Sequence, residues 1–201
     1  MLHCDLRVER LTLNITIFGG ANPQPGSPAY VEAYELGKLL AERGYTVLTG
    51  GYICTMEAVS RGAAEAGGHV IGVTCEEIER WRPVKVNGWV KEEWHKKTLI
   101  ERLEAIITGC DAAIALAGGP GTLTEVALKL NLMIIHAIPA KPLILTGAGW
   151  RSVFDHFFEE FGEYMPLDQR EHIQFAPDVQ SAIEKIKNVN TKDTKLHKGN
   201  P

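Results

Sequence analysis

The stretch Ala113–Glu125, read AIALAGGPGTLTE, carries the residue types best suited to chemistry: an apolar run, a glycine-rich turn, then the start of a helix. Gly118, Gly119 and Gly121 let the backbone turn sharply and approach a ligand closely, and Pro120 stiffens the crossing. Thr122 is placed to cap the helix that follows. Unpaired N–H groups at that helix start, with the positive end of its dipole, attract phosphate or another anion, so a phosphorylated ligand is expected. Glu125 admits two readings: a carboxylate available for chemistry, or the acidic partner in a Thr122-Leu-Thr-Glu125 capping box. Spacing alone leaves both open.

The elements that must hold this turn follow from the patterning. LNITIF at Leu13–Phe18 reads as a buried first strand of a parallel sheet, ending at Gly19 and Gly20. Ser27-Pro28 starts a helix that Gly44 stops, and Tyr45–Leu48 is a second strand. A turn at Gly50 and Gly51 leads to a small-residue helix from about Thr55 to Gly67 or Gly68, and HVIGVT is a third strand. Between Glu76 and His95 the regularity fades into an excursion near the site, holding Trp81, Trp89 and Trp94. Those tryptophans are expected to pack on the body or on a partner subunit, with stacking on a base as the alternative.

Thr98–Gly109 reads as a helix with Leu99, Leu103, Ile106 and Ile107 inward and Arg102 beside that stripe. Asp111–Leu116 is the fourth strand, Val126–Leu132 continues the helix after the glycine turn, and Pro142–Thr146 is the next strand. WRSVFDHFFEEF then gives an amphipathic helix, His172–Phe175 a last short strand and Val179–Ile186 a closing helix. Strand and helix alternate with short links, which implies an α/β fold, a doubly wound parallel sheet in a single domain over 13–186. Residues 1–12 form an extension, and the polar tail 187–201 is expected to be disordered.

Composition excludes several functions. Lys and Arg number 21 against 25 Asp and Glu, a net charge of −4 without a polybasic run, so nucleic acid is not an expected partner. Cys4, Cys54, Cys75 and Cys110 are widely spaced without a CxxC pair, and His95 lacks any HExxH context, so no metal is expected and His95 reads as a surface or hydrogen-bonded residue. Neither FGGANPQPG nor AGGPGTLTE fits GxGxxG, no P-loop Gly-Lys-Ser/Thr is present, and no lysine sits in a recognisable Schiff-base setting. No cofactor is expected. The free cysteines and the lack of a long apolar run point to a cytoplasmic protein without a membrane partner.

Together, GGxGTxxE after a strand, an Arg on the preceding helix and TGG…MEA after the second strand resemble the LOG family, whose members are often labelled lysine decarboxylases. The resemblance extends from IFGGANP at Ile17 through LGKLLAERGY and AGGHVIGVT to the helix after Gly121. It implies a Rossmann-like fold, homodimers, and hydrolysis of the N-glycosidic bond of nucleoside 5'-monophosphates of the AMP or cytokinin type. It also implies that Glu125 and Arg102 are catalytic, and that Gly19, Gly20, Gly50, Gly51, Met56, Gly118, Gly119, Pro120, Gly121 and Thr122 bind the nucleotide or its phosphate.

The chain departs from the family pattern in three places. Tyr52, Ile53 and Cys54 replace a Gly-Pro-Gly loop, so any positive φ there is strained; Leu103 replaces a Lys, and Ala117 a Pro. The alternative is a non-hydrolytic binding protein for a phosphorylated ligand, like the related molybdenum cofactor carriers or a nucleotide sensor.

Overall fold

Strands made of apolar residues on both faces need helices above and below them, and this chain supplies both layers. In the computed structural model, residues 12–186 are described; the rest of the expected N-terminal extension and the tail expected to be disordered lie outside them. In chain order the elements are β1 (Asn14–Phe18), α1 (Pro28–Glu42), β2 (Thr46–Thr49), α2 (Thr55–Glu65), β3 (Val70–Cys75), α3 (Glu76–Trp81), β4 (Glu92–Lys96) and α4 (Leu99–Thr108). They continue with β5 (Ala112–Ala115), α5 (Pro120–Ile134), β6 (Leu143–Thr146), α6 (Ala148–Phe161), α7 (Leu167–Arg170) and β7 (Ile173–Ala176). A final helix, α8, covers 179–186.

All seven strands are parallel in the order β4-β3-β2-β1-β5-β6-β7, a Rossmann-like α/β sheet in a single domain. Alternation along β1 separates two cores. Ile15 and Ile17 face a layer containing Leu36 and Leu40 of α1, Val59 of α2 and Ile183 of α8. Phe18 faces Ile106 of α4, Val126 and Met133 of α5, and Phe154 of α6. The helix starts expected at Ser27 and Thr98 are present: the Ser27 hydroxyl accepts from Tyr30 N, and Thr98 with Glu101 forms a capping box.

The excursion between Glu76 and His95 is more ordered than its pattern suggested. It contains α3 and the edge strand β4, which pairs with β3 from Ile71↔Glu92 to Cys75↔Lys96. Glu92-Glu93-Trp94-His95-Lys96 lacks apolar alternation because an edge strand has one open side, where charge discourages pairing with another chain. No described helix is long and apolar enough to cross a membrane. Cys54, Cys75 and Cys110 are free and buried.

The strand order reverses between β1 and β5, so the loops leaving their C-terminal ends diverge and leave a crevice there. Phe18 stands beside Ala115, and Gly20 N donates to Ala117 O at 3.1 Å, bringing the two glycine turns together.

Beneath this crevice α1 and α2 cross closely. A Cβ at Gly62 would overlap the carbonyl oxygen of Tyr34. Helix propensity alone favours alanine over glycine by about 1 kcal/mol. Packing reverses that sign here, and Gly62→Ala is expected to lower unfolding stability by about 1–3 kcal/mol in a denaturant titration.

Candidate functional site

The glycine turn after β5 feeds directly into α5, which starts at Pro120 with Gly119 as its N-cap and no side-chain cap. The expectation that Thr122 caps the helix is therefore corrected. Thr122 lies inside the first turn, buried, and its side chain fills the space that a Cβ at Gly118 would need. The Thr122–Glu125 capping box does not form either, because both residues lie inside a helix that begins earlier than the spacing implied. Gly119 and Gly121 face open space, and the first turn carries no acidic residue. Its free N–H groups and dipole retain the anion-attracting character read from the sequence.

Released from capping, Glu125 points inward. It is 9% exposed, and burial pushes its carboxyl from the usual 4.5 up to about 7, against a lowering by Arg102. Arg102, beside the inward stripe of α4, is itself buried at 5% exposure. Its Nε donates to Val73 O at 2.6 Å, Nη2 donates to Gly50 O at 3.3 Å, and Nη1 lies 3.8 Å from Glu125 Oε1. Two backbone carbonyls thus fix the guanidinium. A Cβ at Gly50 would strike both that guanidinium and the Met56 sulfur, so only glycine lets the arginine lie against the β2 loop.

The same loop carries the chain's departure from its family. Cys54 adopts φ 62 and ψ −123, a region that side chains avoid, at a cost of about 1–3 kcal/mol. What holds it there is Tyr52. The Tyr52 hydroxyl accepts from Cys75 N at 2.8 Å and lies 3.1 Å from Cys75 O and 3.2 Å from Glu79 Oε1, while its ring faces the Arg102 guanidinium at 5.7 Å. Burial raises the phenol to about 12, so it stays protonated and able to donate. Asn87 closes the loop from outside, donating from Nδ2 to Gly51 O at 3.0 Å and to Tyr52 O at 2.8 Å.

Tyr52, Arg102 and Glu125 border a cleft of about 690 Å³. Gly19, Gly20, Met56, Gly118, Gly119, Pro120, Gly121, Thr122, Arg102 and Glu125 all line it, so the structure brings together most of the expected site. Gly50 and Gly51 do not; their carbonyls accept from Arg102 and Asn87 instead. Sequence reasoning missed Asn87, although Asn87-Gly88 is a turn signal, and gave no role to Arg82, which lines the cleft wall with Trp81 and carried no periodic pattern. Trp89 lies 5.7 Å from Arg61, and Trp94 packs against the end of α4 at Gly109, so two tryptophans pack on the body and the third faces the cleft.

His95 is hydrogen-bonded, as expected, with Nδ1 3.0 Å from Thr74 Oγ1. With Glu79 and Glu93 it places three possible metal donors within 4.8 Å of one another, an open group beside the edge strand that does not line the cleft.

The arrangement invites comparison with known proteins. Residues 12–138 match the SLOG cluster4 family. The cytokinin riboside 5'-monophosphate phosphoribohydrolase LOG of Oryza sativa subsp. japonica is 33% identical over 165 residues, covering 77% of this chain and 64% of the relative's length. A molybdenum cofactor binding protein from Rippkaea orientalis superposes with a TM-score of 0.70 at 28% identity, covering 89% of this chain and 97% of that one. The molybdenum cofactor carrier protein of Chlamydomonas reinhardtii superposes at 0.69 with 26% identity, over 90% and 99%.

Burial of Glu125 has a stability signature. Its folded pKa of about 7 stands above the ordinary 4.5, so between those values the folded state binds more protons than the unfolded state and stability falls as pH rises. Glu125→Gln is expected to flatten that decline and to be more stable than wild type at pH 8, by on the order of 2 kcal/mol, in thermal melts from pH 5 to 8.

Proposed function

The chain belongs to the SLOG cluster4 family, and on that premise we propose that it hydrolyses the N-glycosidic bond of a nucleoside 5'-monophosphate of the AMP or cytokinin type. The products are the free base and ribose 5-phosphate. The observation that carries this reading is the buried Glu125 carboxyl, poised near neutrality where the glycine cradle meets the cleft.

The phosphate rests on the N–H groups of the turn Gly118–Thr122, with Gly19 and Gly20 closing the cradle from β1. As the C1'–N bond lengthens, positive charge grows on the ribose, and a carboxylate facing it stabilises that oxocarbenium-like state. Glu125, ionised, accepts a proton from water as the water oxygen bonds to C1'. The C1'–N electron pair leaves with the base, which takes up the proton that Glu125 removed from water, by transfer through solvent, and Glu125 returns to its ionised form. Arg102 stays charged throughout and cannot serve as the acid; it orients Glu125 and opposes the effect of burial on its ionisation.

A second reading, a binding protein that holds a phosphorylated ligand without cleaving it, draws support from the Tyr52–Cys54 loop and from molybdenum cofactor proteins that match along nearly their whole length. The protein also pairs as a homodimer in this proposal. Leu123 on α5 and Val153, Phe157 and Phe161 on α6 leave apolar surface exposed, with the Phe157 and Phe161 rings 5.5 Å apart. Ile135, just past the end of α5, is exposed as well.

Incubation with AMP and other nucleoside monophosphates, followed by chromatography of the free base, tests the hydrolase. Wild type is expected to release base, with kcat/KM rising with pH through about 7 as Glu125 ionises. Glu125→Gln should lose about 10²–10⁴-fold, and Arg102→Ala should move any residual rise to higher pH, since Arg102 lowers the Glu125 pKa. Binding of AMP with no base released would favour the second reading. For the dimer, light scattering should give twice the chain mass, and Phe157→Asp should give the monomer.

A further inference from the structure

One wall of the cleft is made by the segment that the sequence left without a role. Ile78, Trp81 and Arg82, at the end of α3, line the same cavity as the glycine turn, Arg102 and Glu125. Three charged side chains border that cavity, two arginines and one glutamate. Arg102 and Glu125 face each other, and two backbone carbonyls already occupy the Arg102 donors at Nε and Nη2. Arg82 is the remaining charge, with no carboxylate opposing it at ion-pair distance among the described residues.

The Arg82 side chain is held in an unusual state. Its Nε is shut off from solvent and has no hydrogen-bond partner. A charged donor in that condition carries an unrecovered desolvation penalty, as Arg43 Nε also does, and what a ligand in the cleft can reach is the rest of the Arg82 guanidinium. Its guanidinium lies 5.7 Å from the Trp81 ring. Trp81, in turn, is 78% exposed, an expensive placement for the largest apolar side chain unless a flat partner covers it.

We infer that Trp81 and Arg82 form the recognition wall of this site: Arg82 donates to the anionic group of a phosphorylated ligand and the Trp81 indole stacks on its planar heteroaromatic ring. This rests on the cleft being the ligand site proposed above, but not on turnover. The division of labour follows from the geometry. The α5 turn offers backbone N–H groups and a partial positive charge, and Arg82 adds the full charge that these lack. Arg102 is left to Glu125. The wall selects ligands that carry both a phosphate and a flat ring, and each half is separable by mutation.

The test is calorimetric binding of AMP, ribose 5-phosphate and adenosine at pH 7, in a Glu125→Gln background, which slows hydrolysis and keeps an amide oxygen to face Arg102. Arg82→Ala is expected to weaken AMP and ribose 5-phosphate by tenfold or more and to leave adenosine within twofold. Arg82→Lys, which keeps the charge but loses Nε and the planar fork, should recover only part of the loss. Trp81→Ala should weaken AMP and adenosine about tenfold and spare ribose 5-phosphate. Trp81 is exposed and Arg82 half-buried, and melting temperatures within 2–3 °C of the parent would confirm intact folding.

The inference is overturned if Arg82→Ala binds AMP as the parent does, if Trp81→Ala leaves adenosine and AMP unaffected, or if none of the three compounds binds. Its fate is separable from that of the hydrolase. Base release by the wild-type protein with an unchanged KM for AMP in Arg82→Ala would sink the wall and keep the enzyme. The expected binding pattern without base release would keep the wall and sink the enzyme.

Discussion

The buried Arg102–Glu125 pair is the constraint around which the site is built. Burying either charge costs several kcal/mol, which each residue offsets in part for the other, Arg102 having two backbone carbonyls besides. The pair sets several demands on the surrounding chain. The β2 loop must present Gly50, because any side chain there would displace the guanidinium. Val73 O and Gly50 O must be free to accept, which ties α4 to the ends of β2 and β3. α5 must begin early enough that Glu125 falls inside the helix and faces the cleft rather than returning to cap it.

The pair is also unbalanced, and the proposed chemistry uses that imbalance. Arg102 donates to two carbonyls besides facing the carboxylate, and at 3.8 Å it falls short of the close bidentate geometry that would hold the acid firmly ionised. Burial wins by a modest margin, and Glu125 rests near neutrality instead of far below it. A group poised there can exchange a proton at physiological pH. The Tyr52 ring contributes by facing the guanidinium across 5.7 Å and by spanning from the β2 loop to Cys75. The loop accepts a strained Cys54 so that this tyrosine can be placed.

Much of this was legible in the sequence, for physical reasons that differ by element. The parallel strands were readable because their residues are apolar on both faces, and the helices at Ser27 and Thr98 because their caps are encoded locally. The glycine turn was readable because glycine is required there. β4 was hidden, since a charged edge strand lacks the alternation that marks a half-buried one. The role of Glu125 was ambiguous because the i, i+3 spacing of a capping box also occurs one turn inside a helix, and only the position of Pro120 at the first helical residue decides between them. Asn87 acts through contacts that span from the β2 loop to the α3–β4 connection, and Arg82 borders the cleft from that same connection; no local pattern records either placement.

The proposed chemistry depends on the ionisation of one carboxyl, that of Glu125. Carbon-13 NMR of the glutamate side-chain carboxyl groups, followed from pH 4 to 9 and assigned by its absence in Glu125→Gln, measures it directly. A Glu125 resonance titrating near 7 is the predicted result. If the Glu125 signal titrates near the ordinary 4.5, burial does not govern the pair and the proposed chemistry loses its basis.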